Sequence, residues 1–252
     1  MNNNYQNPLD VPNWPAIKFF SLSKIAFEKY PVIHSSDFQF EWKKELINFY
    51  KRQIETGNPA GTFAATRQGD KRLVSTLHCP GIKEISQTGF IVRLPWDLSI
   101  KFNNETDLFE ASSSFKDDAF EDLNKNDLIY THKDTYTAKH IVSKPNHYSQ
   151  ILKISLPWHV ACEPNVNLLF MPIPYPDNYF VSHSFGILNY KITSSINPHV
   201  YVEKSEKEIF LPAGYPIVQI IPITENYYEL HNILWDKSLG NIHQLSQMEK
   251  IP

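Results

Sequence analysis

The sequence predicts a mainly β protein, a β-sandwich or β-clip-like body carrying an N-terminal amphipathic helix and a short C-terminal helix. Three observations carry that expectation. From about residue 72 onward, apolar residues come in short bursts at spacings of roughly 8–12 residues, the rhythm of strands joined by turns. Prolines number 18 against 8 glycines, and many of those prolines punctuate the bursts. Hydrophobic residues at 42%, with 13% aromatic, are enough to fill the interior of a sheet-built body.

The elements follow in order. Residues 1–34 hold Pro8, Pro12, Pro15 and Pro31 among Trp14, Phe19 and Phe20. Proline fixes φ and removes a donor, so this stretch reads as an extended arm laid over other structure. Ser35, Ser36 and Asp37 then offer N-cap chemistry. Trp42, Leu46 and Phe49 recur at helical spacing, widened by Ile47, Tyr50 and Ile54, and predict an amphipathic helix over 37–56. Gly57 and Pro59 suit its stop. Its lysines and arginine, Lys43, Lys44, Lys51 and Arg52, read as a solvated face.

Strands are expected at 90–94, 98–102, 151–156, 159–162, 167–171, 179–183, 191–193, 200–203, 209–211 and 217–221. The acidic stretch 104–127 reads as an exposed insertion with a short helix over 114–123, and a last helix is expected over 225–238. The organisation expected is residues 1–71 as arm and helix packed on a β-rich domain of 72–252.

Bulk properties exclude several classes. The 24 Lys+Arg against 27 Asp+Glu give a net charge of -3, with no basic excess for general nucleic-acid binding. No apolar run approaches the ~20 residues of a membrane-spanning helix. The start lacks a basic and apolar leader, and two cysteines, Cys79 and Cys162, cannot build a disulfide framework in a chain this long. A cytoplasmic location is the expectation. Neither GxGxxG nor GxxxxGK[ST] occurs, which removes the main support for nucleotide-cradling loops.

Three stretches act together. They are Cys79-Pro-Gly-Ile82 with Thr88-Gly-Phe-Ile91 and Pro95-Trp-Asp-Leu98; Leu156-Pro-Trp-His159 with Asn167-Leu-Leu-Phe170; and Phe185-Gly-Ile-Leu188 with Leu211-Pro-Ala-Gly-Tyr-Pro-Ile-Val-Gln219. Their order and spacing, over about 75–225, resemble a family of uncharacterised proteins of bacteria and phages. The resemblance implies an architecture and almost no chemistry. The third stretch also resembles, more weakly, the dUTPase-like β-clip proteins. Asn189 stands where those enzymes carry the aspartate that activates water, and an amide cannot act as a general base. That departure implies a nucleotide binder without hydrolysis.

Candidate site residues follow from chemistry. Gln219 interrupts an otherwise apolar strand and, if buried, must be hydrogen-bonded, either pinning a loop or reading a ligand. Trp96 and Trp158 each follow a proline and each bring a large apolar surface with one N–H. Asp97 reads as a turn cap or as an acid in a pocket. Trp96, Asp97, Trp158, Asn189 and Gln219 are the candidate ligand-binding residues of a binding or assembly protein without classical catalysis, whose partner is a protein or a small molecule. The other reading is a non-haem iron enzyme. His132 and Asp134 form an HxD pair, a spacing that on a strand points two ligands to one face, and His183 or His199 would complete an Fe(II) triad, with Lys191 holding a substrate carboxylate. His159 and Cys162, three apart, give a weaker nucleophile pair.

Overall fold

Strands form where apolar residues alternate or run unbroken, and the computed structural model describes residues 3–5, 16–56, 63–65, 71–73, 79–106, 108–114, 128–132, 146–163, 165–174, 180–189, 191–205 and 207–235. In chain order the elements are β1 (Asn3–Tyr5), β2 (Ala16–Ser21), α1 (Lys24–Lys29), β3 (Ile33–His34), α2 (Glu41–Glu55), β4 (Phe63–Ala65), β5 (Lys71–Leu73) and α3 (Pro80–Ile85). Then come β6 (Phe90–Arg93), β7 (Leu98–Asn103), β8 (Leu108–Ser113), β9 (Ile129–His132), β10 (His147–Ile154), β11 (Trp158–Ala161) and β12 (Asn167–Met171). The last are β13 (Val181–His183), β14 (Gly186–Leu188), β15 (His199–Glu203), β16 (Ile209–Leu211), β17 (Pro216–Ile223) and β18 (Glu229–Leu234). The fold is mainly β, as the spacing predicts.

The strands assort into four larger sheets and one small pair: β1-β18-β2-β11, β14-β12-β17-β6-β3, β13-β15-β10-β9, β16-β7-β8, and β4-β5. One continuous core joins the four larger sheets. It holds Phe19 and Leu230 from the first, Val92 and Ile220 from the second, Leu152 and Val200 from the third, and Leu98 and Leu211 from the fourth. Among the described residues, no helix is long and apolar enough to cross a membrane.

β2 is the spine of the first sheet. It pairs in parallel with β18, six residues in register from Ala16↔Glu229 to Leu234↔Ser21, and antiparallel with β11. Ser23 then caps α1, its side chain accepting from the Ala26 amide at 3.1 Å. The residues expected to form an arm are thus a central strand, because Ile17, Phe19 and Phe20 bury on both faces.

Three expectations need correction. The helix expected over 225–238 is strand β18 within the described residues: Leu230 to Ile233 are all buried, which suits a central strand and not a helix with a wet side. The strand expected at 191–193 is a turn, and pairing occurs earlier, at β14. Asn189 accounts for this, because its side chain accepts from the Lys191 amide and its carbonyl from that of Ile192. The insertion expected at 104–127 begins as β8, which pairs with β7 because Phe109 stacks edge-on against Phe102 and fills the core. The helix expected at 114–123 lies outside the described residues apart from Ser114. Helix α2 forms as its spacing predicts, and Trp42 at its first turn joins a small cluster with Phe40 and Ile91. Farther along, Ile47 and Phe49 are exposed.

Two motif junctions lock the second and fourth sheets. Gly214, at φ +88°, is the third residue of a turn in which the Tyr215 amide donates to Pro212. The Ala213 amide of that turn donates to the Asp97 carboxylate at 2.8 Å. Gly89, at φ +78°, lies so close to the Ile220 carbonyl that a Cβ there would collide with it. Beside it, the fully buried Gln219 donates from Nε2 to the carbonyls of Ile85 and Thr88, at 2.7 and 2.6 Å. Its amide therefore pins the turn after α3 to the central strand β17.

Gln219→Leu strands two carbonyls and lowers unfolding free energy by about 1–3 kcal/mol. Gln219→Glu lowers it further, because a carboxylate cannot donate and its charge is buried. Urea denaturation of the two variants gives the ranking, and a Glu variant as stable as the Leu variant contradicts the pin.

Candidate ligand-binding site

The chain leaves one sheet and enters another between β13 and β14, only two residues apart. β13 is the outermost strand of its sheet and β14 the outermost of the next. The passage is fixed at its start, where the Ser184 amide donates to the His199 carbonyl at 2.7 Å. A cavity of about 320 Å³ lies there, with Lys153, His183, Ser195 and His199 among its polar walls and Phe170 and Leu188 among its apolar ones.

Register shows how these side chains meet. Lys153 pairs directly with His199, so the two share a face of their sheet. His183 pairs with Val200 and takes the core face. Both faces reach the cavity because it sits past the end of β13, where the sheet no longer separates them. Across the gap, Gly186 pairs with Phe170, and the His183 and Phe170 rings lie 6.2 Å apart.

The remaining wall comes from the residues before β15. There the chain runs beside β11: the Val160 amide donates to the Ser194 carbonyl and the Ile196 amide to that of Trp158. His159, buried in β11, has its Nδ1 2.9 Å from the Ser194 hydroxyl and 3.5 Å from that of Ser195. Ser194 is the close partner, so the imidazole fixes this segment and leaves Ser195 facing the cavity.

His183 is the unusual member of the site. It is 5% exposed, and its Nδ1 makes no hydrogen bond among the described residues. Buried imidazole nitrogens normally find partners. Burial first, and the neighbouring His199 second, push its pKa down to about 3, while a backbone hydrogen bond at Ser184 pulls the other way. The ring is therefore neutral at physiological pH. Among the described residues, Lys153 forms no ion pair and no carboxylate lines the cavity.

The residues singled out by sequence fall elsewhere. Trp96 and Asp97 line a second cavity of about 240 Å³, beside Lys29, Tyr30 and Ser114. Asp97 there caps the Pro212–Tyr215 turn, as described above. Trp158 is fully buried in the core, Gln219 pins a loop, and Asn189 holds a turn. Of the iron-site residues, His183 and His199 reach the same cavity, from opposite faces of the sheet. His132 ends β9, opposite Ile151, and Asp134 lies outside the described residues. Among the described residues no group of three or more His, Cys, Asp or Glu is arranged to hold a metal ion. Lys191 lies in the exposed turn after β14.

Cys162 is buried, its thiol 3.6 Å from the Val166 carbonyl, and burial with the adjacent Glu163 pushes its pKa up to about 12. A thiol held so firmly protonated is a poor nucleophile. Sequence reasoning named His183 and His199 only as metal ligands and missed Lys153, Ser195 and Phe170. The register of β10 against β15 brings Lys153 in, and no local motif marks it. Comparison with protein families, curated sequences and solved structures finds no match to this chain.

The depressed His183 pKa sets a pH dependence. Below about 6.5 the unfolded chain takes up a proton that the folded chain refuses until about pH 3. The stability this ring contributes is thus complete above pH 6.5 and declines as pH falls through that window. His183→Phe removes the difference. Relative to the native chain the variant gains up to about 1.4 kcal/mol per pH unit between pH 6 and 4.5. Denaturant titrations across that range measure it, and a gap that stays constant with pH contradicts a neutral buried ring.

Proposed function

We propose that this chain is a binding protein whose ligand is a small molecule held in the cavity past the end of β13. The observation that carries the reading is the His183 imidazole, buried at the cavity wall with Nδ1 unpaired among the described residues. An isolated polar group in such a place costs stability, and a ligand that hydrogen-bonds the ring offsets that cost. The volume is at the small end of ordinary ligand pockets, which run from about 300 to 1,000 Å³. The walls combine apolar side chains with convergent polar groups, as ligand pockets do.

A second reading, assembly with a protein partner, is favoured by the rim. Phe185, Ile187 and Ile192 are 71%, 68% and 83% exposed at and beside the edge strand β14. Exposed apolar residues grouped in this way often mark contact surfaces. The location we propose is the cytoplasm, supported by both cysteines being free thiols, Cys79 at the surface and Cys162 inside.

Gly186 separates the two readings. A Cβ at this residue meets nothing within 4 Å, and it points to the same face as its cross-strand neighbour Phe170. Gly186→Trp therefore fills the cavity and leaves the rim residues unchanged. In a thermal-shift screen of metabolite classes, the native chain is stabilised by at least one class and the variant by none; at a hundred times Kd the stabilisation is about 2.7 kcal/mol. A screen in which no class shifts the native chain, or in which the variant responds equally, overturns the small-molecule reading.

A further inference from the structure

Resting on that reading of the cavity, we infer that its ligand is a small organic anion: a carboxylate or phosphate head at Lys153, a hydroxyl at His183, and a short apolar body against Phe170 and Leu188. Three features of the walls lead there.

The first is charge. Lys153 lines the cavity and forms no ion pair among the described residues, and none of the described residues lining the cavity is an Asp or Glu. A lysine in a partly enclosed, carboxylate-free site favours an anion there. The second is the kind of hydrogen bond His183 can make. A neutral imidazole offers one donor and one acceptor, and a hydroxyl can answer either. A cationic N–H donor could answer only the acceptor, and an anion only the donor. The third is size and apolar surface. The cavity corresponds to roughly ten waters' share of liquid volume, more than a bare inorganic anion fills. Phe170 and Leu188 give part of the lining an apolar surface, beside the polar Thr193, Ser195 and Asn197.

The geometry arranges these features in order. Lys153 and His199 stand on one side of the sheet end, His183 on the other, and Phe170 faces His183 across the gap. Anion head, hydroxyl and apolar body are thus recognised by three different walls, two of them on one sheet and the third on its neighbour.

Calorimetric titration of the full chain with three probes tests this: 4-hydroxyphenylacetate, its neutral amide, and inorganic phosphate. The acid binds, the amide binds roughly ten-fold more weakly, and phosphate alone binds more weakly still. Lys153→Gln erases the preference for the acid over the amide, and His183→Phe erases the preference for 4-hydroxyphenylacetate over phenylacetate. If the amide equals or exceeds the acid on the native chain, the cavity is a site and the anion inference is wrong. If inorganic phosphate matches the acid, the apolar part of the inference is wrong. If none of the three binds, while the thermal-shift screen finds a neutral ligand, the inference fails and the binding role stands. Silence in both experiments removes both. The comparison of acid with amide is made on the native protein, so it holds even where a variant fails to fold.

Discussion

The pairing of β2 between β18 and β11 is the constraint on which the remaining geometry rests. It joins a segment near the start of the described chain to one near its end, and β18 lies in parallel with β2, an arrangement that needs a long connection. A second contact fastens the same seam. The buried Asn232 amide accepts from the Val32 amide at 3.2 Å and donates to the Val32 carbonyl at 2.9 Å, so one side chain does the work of a paired peptide. Asn232 lies on β18 and Val32 just ahead of β3, so the amide holds the first sheet against the second. Non-local contacts of this kind can form only after most of the chain is in place.

The site follows from that seam by a short chain of contacts. β2 fixes β11, β11 fixes residues 194–198 through backbone bonds and through His159, and that segment is one wall of the cavity. On the other side, the passage from β13 to β14 must cross between two sheets in two residues. No strand or helix can cover the gap on so short a path, and a cavity is left where the sheets part. The polar groups around it are then a matter of register: a one-residue slip of β15 against β10 would turn His199 toward the core and part it from Lys153. The site is therefore built by topology, with residues that carry no sequence motif.

This explains which features could be read beforehand. The strand positions were legible because a half-buried strand carries its period in its own residues: 90–94, 167–171 and 209–211 match β6, β12 and β16 almost to the residue. The structural use of Gln219 was legible too, since a lone amide in an apolar strand has few options. β18 was misread because Glu229 and Asn232 give its apolar residues a helix-like polar spacing, while the feature that settles it, a partner strand about 200 residues away, leaves no local trace. The same reason hid the cavity. Lys153 looks like an ordinary solvated lysine on an alternating strand, and only its pairing with His199 brings it to His183. Trp158 and Asn189 stand in local patterns that serve packing and a turn, the patterns a single sequence shows best.

At the cavity wall stands a buried, neutral imidazole, His183, whose Nδ1 makes no hydrogen bond among the described residues. Ring-nitrogen NMR of the ¹⁵N-histidine-labelled protein tests this most directly, with His183 assigned by its loss in His183→Phe. The ring is expected to stay neutral as pH is lowered to about 4, with nitrogen signals that move when a ligand enters. A ring that takes up its proton near pH 6.5, as a solvated histidine does, would contradict it.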